Sequence, residues 1–144
     1  MVIGIIGAME EEVAKLKAEM KEVEQISKAS MDFLKGKLCN KDVVVVRSGI
    51  GKVNAAVCTQ ILIDDYKVDR VINTGVAGGL YSELNVGDIV ISNDALYHDF
   101  DVTGFGYEEG IIPRMQTSTF TADNELALKA KEICEKVNPD IKCF

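Results

Sequence analysis

The chain alternates between short apolar runs that close at glycine and longer segments with helical spacing. Residues 2–6 form the first run, which ends at Gly7. The apolar residues of the next segment recur at intervals of three and four, at Met9, Val13, Leu16, Met20 and Val23. This pattern predicts a strand, a tight turn and an amphipathic helix.

A similar succession follows in residues 31–75. Residues 31–38 alternate in part, residues 40–42 have turn character and residues 43–46 are all valine, which predicts a hairpin leading into a buried strand. From Lys52 to about Asp65 a branched apolar residue recurs every fourth position, at Val53, Val57 and Ile61, which predicts a helix. Residues 70–74 predict another strand, closed by Gly75.

The last third of the chain is less regular. Residues 88–92 predict a strand and residues 93–100 an extension of the sheet, whereas residues 103–113 lack periodicity and predict a long loop. Asp123 is placed to cap a helix that Pro139 ends, with one face formed by Leu126, Ala130, Ile133 and Val137. Residues 141–144 have the apolar character of a strand just beginning, so we expect a truncated piece of a longer domain.

Strands and helices in this order are typical of an α/β domain, with a mostly buried sheet and helices packed against it. The chain has 144 residues, 47% of them hydrophobic, and is expected to form a single domain over residues 1–144. Its formal net charge of −7, without a cluster of lysine and arginine, argues against nucleic acid or an anionic membrane as the main partner. A neutral small molecule suits this charge better.

The same sequence carries no targeting or redox signature. Its apolar runs are far shorter than the roughly 20 residues of a membrane-spanning helix, and Met1 leads directly into a predicted strand, so no signal peptide is expected. The four cysteines are widely spaced and there is one histidine, which predicts neither a zinc site nor a disulfide framework. We expect a cytoplasmic protein with reduced thiols.

Three predicted strands end at glycine-bearing turns, at residues 7–9, 48–51 and 74–79. Ligands of open α/β sheets bind at the carboxyl ends of parallel strands, and glycine lets backbone N–H groups come close to a ligand. Any one of these turns could serve only to reverse the chain. Together they predict a ligand-binding rim.

Two nucleotide-binding motifs fit this rim poorly. A phosphate-binding loop requires glycine where Val46 stands and a hydroxyl residue in place of Val53. Residues 49–51 begin like a dinucleotide fingerprint, but Asn54 occupies the third glycine position. A dinucleotide-dependent oxidoreductase is therefore a disfavoured alternative.

Carboxylates at two places could carry chemistry. Residues 10–12 are all glutamate at the start of the first helix, where they can stabilise the helix dipole or, at the rim, accept a proton from water as a general base. His98, Asp99 and Asp101 suggest a metal site, but alternate residues of a strand diverge and no second histidine exists. We therefore expect no metal.

These same blocks resemble the 5′-methylthioadenosine/S-adenosylhomocysteine nucleosidases, within the nucleoside phosphorylase superfamily. The matching blocks are residues 3–12 (Ile-Gly-Ile-Ile-Gly-Ala-Met-Glu-Glu-Glu), 48–53, 73–75, 77–79, 86–90, 97–99, 101–103 and 105–107. The resemblance covers nearly the whole chain. It implies a three-layer sandwich in which helices flank a central, twisted, mixed and mostly parallel sheet, here truncated.

The resemblance also implies roles for individual residues. Glu12 corresponds to the carboxylate that positions and activates the hydrolytic water. The positions that correspond to substrate contacts are Ala8, Met9, Ile50, Val76, Ala77 and Gly78. Among them Ile50 faces the 5′-alkylthio group, and Val76 stands where some relatives carry serine. Phe105 and Pro113 correspond to residues that reach into the neighbouring subunit's pocket in a homodimer.

The implied reaction is hydrolysis of the N-glycosidic bond of methylthioadenosine and adenosylhomocysteine, and also of 5′-deoxyadenosine, in methionine salvage, without a cofactor. The family's ribose-binding glutamate and its adenine-protonating aspartic acid lie beyond Phe144, so we expect this chain alone to be inactive. Three alternatives stay open: a purine nucleoside phosphorylase with Arg47 and Ser48 near phosphate, a futalosine-type hydrolase, and a non-catalytic fragment.

Overall fold

The computed structural model describes residues 1–144. The strands are β1 (Val2–Gly7), β2 (Lys21–Lys28), β3 (Met31–Leu38), β4 (Lys41–Arg47), β5 (Arg70–Asn73), β6 (Asp94–Ala95) and β7 (Phe120–Thr121). The helices are α1 (Glu10–Glu19), α2 (Lys52–Tyr66) and α3 (Asn124–Val137). The chain divides into two compact units, Met1–Gly78 and Gly79–Phe144. A single domain over residues 1–144 stays a prediction.

The first unit is built on a five-stranded sheet with the order β2-β3-β4-β1-β5. β1 pairs in parallel with β4 on one side and β5 on the other, whereas β2, β3 and β4 are joined by antiparallel hairpins. The four valines of β4 are all buried, as expected for a strand covered on both faces. The predicted hairpin and buried strand are therefore confirmed.

Alternate residues of the central strands pack against different helices. One cluster joins α2 to the sheet and contains Ile6, Met31, Phe33, Val44, Val46, Cys58, Ile61 and Leu62. The other joins α1 to the sheet and contains Ile5, Val13, Met20, Val43 and Val45. Because successive strand residues point to opposite faces, the helices cover opposite sides of the sheet. The mixed sheet of the first unit therefore lies between two helical layers. This three-layer arrangement confirms the predicted fold class.

The first helix ends earlier than its spacing predicts. α1 stops at Glu19, Met20 already has an extended backbone, and Val23 lies half-exposed in β2. Every residue of β2 is exposed, so the strand carries no buried alternation that its sequence could reveal. The helical spacing of apolar residues therefore extends past the end of α1 to Val23 only by coincidence.

The buried face of α2 also differs from the predicted one. Val53 is 78% exposed and Val57 is 40% exposed, whereas Cys58 and Leu62 are fully buried beside Ile61. Apolar side chains lie around most of this helix, at residues 53–63, and an interval of four selects no face when that is so.

The second unit contains less strand structure than predicted. Over residues 93–100 only β6 is a strand, and it pairs with β7 in a separate two-stranded sheet rather than extending the larger one. The strand predicted at residues 88–92 is reduced to a parallel bridge between Ile89 and Cys143. A strand requires a hydrogen-bonded neighbour. In this region the only such neighbours are residues 142–144, which is too short a segment to form a full strand pair.

The helix of the second unit begins as predicted. The Asp123 carboxylate accepts a 3.1 Å hydrogen bond from the Leu126 N–H, and the helix ends at Val137. None of its side chains is buried, so the predicted apolar face remains exposed. The predicted loop over residues 103–113 is confirmed, apart from a 3-10 turn at Thr103–Phe105. None of the three helices is long and apolar enough to cross a membrane.

Candidate active site

The carboxyl ends of β1, β4 and β5 lie at one edge of the first unit's sheet. The strands run parallel, with Gly7 opposite Arg47 and Ile6 opposite Asn73. Backbone hydrogen bonds of 2.9 Å continue the ladder into the turns, from Ser48 N–H to the Gly7 carbonyl and from Thr74 N–H to the Ile6 carbonyl. The three predicted glycine turns therefore share one rim, the arrangement in which α/β sheets bind ligands.

Glu12 is held at this rim by both of its carboxylate oxygens. Oε2 accepts a 2.9 Å hydrogen bond from the Met9 N–H, at the start of α1. Oε1 accepts a 3.0 Å hydrogen bond from the Val76 N–H, in the turn after β5. A carboxylate has about four lone-pair sites, so Glu12 can still accept a hydrogen bond from a further donor such as water.

The same two hydrogen bonds keep Glu12 ionised. The N–H groups of Met9 and then Val76, with a smaller contribution from Ala8, hold the pKa of Glu12 below its ordinary value of 4.5, against the opposing effect of desolvation. No charged side chain contributes to this shift. The site therefore presents a fixed anion that can accept a hydrogen bond and then a proton.

The structure distinguishes the three glutamates that the sequence left equivalent. Glu10 pairs with Lys17, whose Nζ lies 3.0 and 2.9 Å from its two carboxylate oxygens. The Nε of Arg47 lies 3.8 Å from the same carboxylate. Glu11 is exposed. Only Glu12 has its carboxylate fixed by backbone donors from two different turns of the rim.

The other predicted substrate positions of the first unit lie in the same three turns. Ala8 and Met9 join β1 to α1, Ile50 lies in the turn before α2, and residues 76–78 follow β5. Ile50 and Val76 are 74% and 82% exposed. The structure thus brings these positions to the edge that carries Glu12, and their contacts with a substrate stay a prediction.

The turn before α2 contains the residues that begin like a dinucleotide fingerprint, and its geometry gives them a structural role. Gly49 and Gly51 have φ of +83° and +105°, a backbone region that favours glycine. Asn54 donates a 2.8 Å hydrogen bond from Nδ2 to the Ile50 carbonyl and so closes the turn. These residues shape the rim without the third glycine of a dinucleotide fingerprint.

Phe105 and Pro113, predicted to act in a neighbouring subunit, lie in the second unit. The Phe105 side chain is 85% exposed at the end of the 3-10 turn, and Pro113 is half-buried. The structure describes one chain, so their predicted role stays a prediction. A groove of about 450 Å³ in this unit is lined by α3, Ile91, Asn93 and Phe144 and contains none of the predicted site residues.

The structure does not gather His98, Asp99 and Asp101 into one set of ligands. Residues 98 and 99 form a turn rather than a strand, so the predicted divergence of their side chains is wrong, and His98 Nδ1 lies 3.9 Å from Asp99 Oδ1. Asp101 instead accepts a 2.9 Å hydrogen bond from the Thr103 N–H. No group of three potential metal ligands exists in residues 1–144.

Two rim residues have structural roles that the sequence did not predict, although both lie in the predicted glycine turns. The Ser48 hydroxyl is buried and donates to the Gly49 carbonyl at 2.9 Å, which fixes the turn after β4. Gly75 lies against the Glu12 carboxylate, where a Cβ would be 2.6 Å from Oε1. The sequence shows a glycine after an apolar run, but the atom that approaches it comes from 63 residues away.

A three-layer α/β fold with a candidate site at the carboxyl edge of its sheet defines the class of protein, and comparison with known families identifies the superfamily. The family model of the Phosphorylase superfamily matches residues 2–143, and the chain belongs to this superfamily. A similar curated relative is the 5′-methylthioadenosine/S-adenosylhomocysteine nucleosidase of a Marinomonas species, 52% identical over 136 residues, which cover 94% of this chain and 58% of the relative.

Solved structures of the same kind of enzyme superpose closely. The nucleosidase of Colwellia psychrerythraea, in complex with adenine, is 48% identical with a TM-score of 0.93, over 99% of this chain and 59% of that one. The Neisseria meningitidis nucleosidase, in complex with methylthio-immucillin-A, is 39% identical with a TM-score of 0.91, over 99% and 61%. The chain thus spans about three fifths of the length of these relatives.

Proposed function

We propose that this chain carries the water-activating part of an enzyme that hydrolyses the N-glycosidic bond of 5′-methylthioadenosine, S-adenosylhomocysteine and 5′-deoxyadenosine. The observation that carries the proposal is the ionised Glu12 carboxylate, fixed by the N–H groups of Met9 and Val76 at the carboxyl edge of the sheet. The names of the similar relatives support the first two of these substrates.

The proposed reaction uses Glu12 to direct water to the anomeric carbon. The water oxygen forms a bond to that carbon, its proton passes to Glu12, and the carbon–nitrogen bond breaks with its electron pair going to the adenine nitrogen. Positive charge develops on the ribose as the bond breaks, as in other glycoside hydrolyses. The proton that neutralises adenine comes from an acid in the remainder of the enzyme, by resemblance to the family.

The substrate lies along the rim in this proposal. Ala8, Met9 and Gly78 line the ribose and the water, and Ile50 faces the 5′-thio substituent. Their place in the three glycine turns supports this assignment. Val76 and Ala77 contribute backbone rather than a hydroxyl group, because neither side chain has a polar atom.

The interactions that Arg47 and Ser48 already make within the rim favour hydrolysis over phosphorolysis. Arg47, at the end of β4, lies 3.8 Å from the Glu10 carboxylate. The Ser48 hydroxyl donates its proton to a backbone carbonyl. The charge of Arg47 is therefore partly balanced by Glu10, and the Ser48 proton is used within the turn.

We also propose that the enzyme is a cytoplasmic homodimer in which Phe105 and Pro113 of one copy reach the rim of the other. The 85% exposure of Phe105 supports a partner for this side chain, since large apolar side chains in loops are common at interfaces. All four cysteines are free thiols, which suits a reducing compartment.

The test measures adenine release from methylthioadenosine by an extended enzyme, in which this chain is joined to the part of a similar relative that it does not match. We expect release without phosphate, and a fall of at least about 10²-fold in kcat for Glu12→Gln, the usual range for a lost general base. Release that requires phosphate would instead make the enzyme a phosphorylase. No release from a folded protein would reject the nucleosidase proposal.

Glu11→Gln is the matched control. It removes the same charge from the same turn of α1, but its side chain is exposed and has no part in the proposed reaction. We expect its kcat to equal that of the unmodified protein. An equal loss in both variants would mean that helix charge rather than a positioned base supports turnover.

A further inference from the structure

Gly75 has an ordinary backbone conformation but no room for a side chain. Its φ lies outside the left-handed region, so an L-residue could adopt the same backbone. A Cβ at this position would lie 2.6 Å from Oε1, 2.9 Å from Cδ and 3.2 Å from Oε2 of Glu12. The three nearest atoms all belong to one carboxyl group, so a side chain here requires that group or the turn itself to move.

We propose that Gly75 is a positioning residue, whose missing side chain lets the turn after β5 close onto the Glu12 carboxylate. The inference rests on the proposed function, in which that carboxylate directs the hydrolytic water. The residue after Gly75 donates the Val76 N–H to Oε1 at 3.0 Å. A methyl group on residue 75 would have to displace either the carboxylate or this donor, and the hydrogen bond would be lost in both cases.

Gly7, the other glycine close to Glu12, has a different role. A Cβ on Gly7 would lie 2.7 Å from Cγ1 of Val13, a fully buried core residue, and 3.1 Å from Cβ of Glu12. Crowding there would disturb the packing of α1 on β1. Gly75 differs because the three atoms nearest to its Cβ position are all in the Glu12 carboxyl group, so a substitution acts on the position of the base.

The loss of one donor has a consequence that a purely structural role would not produce. The Met9 and Val76 N–H groups hold the pKa of Glu12 below its ordinary value of 4.5. The Glu10 carboxylate nearby is paired with Lys17 and Arg47. Removing the Val76 hydrogen bond should therefore raise the pKa of Glu12 toward 4.5, because one of the donors that favour the ionised form is gone.

The experiment compares Gly75→Ala with Gly104→Ala. A Cβ on Gly104 meets no atom within 4 Å, and its φ is not in the left-handed region, so the same methyl group is added without a clash. Carbon-13 NMR of the side-chain carboxyl groups, assigned with Glu12→Gln, gives the Glu12 titration in this chain. We expect the pKa of Glu12 to rise in Gly75→Ala and not in Gly104→Ala. In the extended enzyme we expect Gly75→Ala to lower kcat about a hundredfold with little change in KM, since misplacing a catalytic group costs this much.

Two further measurements separate the possible outcomes. In the unmodified chain the Val76 amide resonance should follow the Glu12 titration, a readout that needs no folded variant, and an amide that ignores the titration would overturn the inference. Adding Glu12→Asp to Gly75→Ala withdraws the carboxylate and should recover part of the lost kcat. Unchanged kcat and titration in a folded Gly75→Ala protein would reject Gly75 as a positioning residue, even if Glu12→Gln established the proposed hydrolysis.

Discussion

At the scale of single residues, Glu12 has a structural role at the helix start and is also placed for the proposed chemical role, two roles that the sequence presented as alternatives. Its Oε2 satisfies the Met9 N–H, one of the donors that every helix start leaves without an intrahelical partner. Its Oε1 joins that helix start to the turn after β5. The carboxylate that closes the helix end is thereby held rigidly at the rim.

This double role predicts how stability depends on pH. The pKa of Glu12 is lowered in the folded chain, so its contribution to the free energy of unfolding is complete above the ordinary value of 4.5 and is lost as the pH falls through the folded value. Urea unfolding at a series of pH values should show a steeper acid loss for the unmodified chain than for Glu12→Gln. Asp42 and Asp101, whose pKa values are also lowered, remain in both proteins and cancel in the comparison. Parallel curves would contradict the prediction.

Cys58 gives a second prediction at this scale. Burial raises the pKa of its thiol to about 11, and its side chain is fully buried in the α2 cluster. The thiolate is the reactive form, so Cys58 should resist iodoacetamide in the folded chain, whereas the exposed Cys39 is alkylated quickly. Peptide mass spectrometry after timed alkylation measures both rates. Equal rates would show that α2 opens readily from the sheet.

At the scale of elements, sequence patterns predicted those strands and helices that have a local signal, either a run of buried apolar residues or a helix cap. The four valines of β4 and the Asp123 cap of α3 both have a local signal. β2 was missed because its residues are all exposed, and the buried face of α2 was misassigned because that helix is apolar on most sides. Hydrophobic periodicity reports burial, so it fails where an element is exposed or uniformly apolar.

The candidate site shows the same limit. The glycine turns and the glutamates of α1 were visible as candidates, and the parallel pairing of β1, β4 and β5 places the turns at one edge. The choice of Glu12 over Glu10 and Glu11 came from resemblance rather than from spacing. What distinguishes Glu12 in the structure is its hydrogen bond from the Val76 N–H. The two residues are 64 positions apart in the sequence, so no local pattern reveals this contact.

The packing of α2 leads to a prediction for this element. Leu62 is fully buried, touches the backbone region of Gly4 and belongs to the α2 cluster. Leu62→Ala should lower the free energy of unfolding by about 2–5 kcal/mol through lost burial and a cavity. The adjacent Ile63 is 46% exposed, so Ile63→Ala should cost much less and serves as the control. Urea denaturation measures both, and similar losses would mean that the faces of α2 are wrongly assigned.

At the scale of the whole molecule, large apolar side chains remain exposed in the second unit. Leu128 and Val137 of α3 are 72% and 66% exposed, and α3 has no buried residue. The chain spans about three fifths of the length of its similar relatives. Association that buries exposed apolar surface of this kind lowers the free energy of the chain.

We therefore expect the 144-residue chain to self-associate as its concentration rises, and sedimentation velocity measures this directly. Replacing Leu128 and Val137 together by glutamate should shift the distribution toward monomer, because the helix then loses its two most exposed large apolar side chains. Lys129→Glu on the same helix changes the formal net charge by the same amount without removing an apolar side chain, so it separates charge repulsion from lost apolar contact. If Lys129→Glu dissociates the assembly equally well, net charge controls association. A chain that is monomeric at every concentration would show that this surface is tolerated in water.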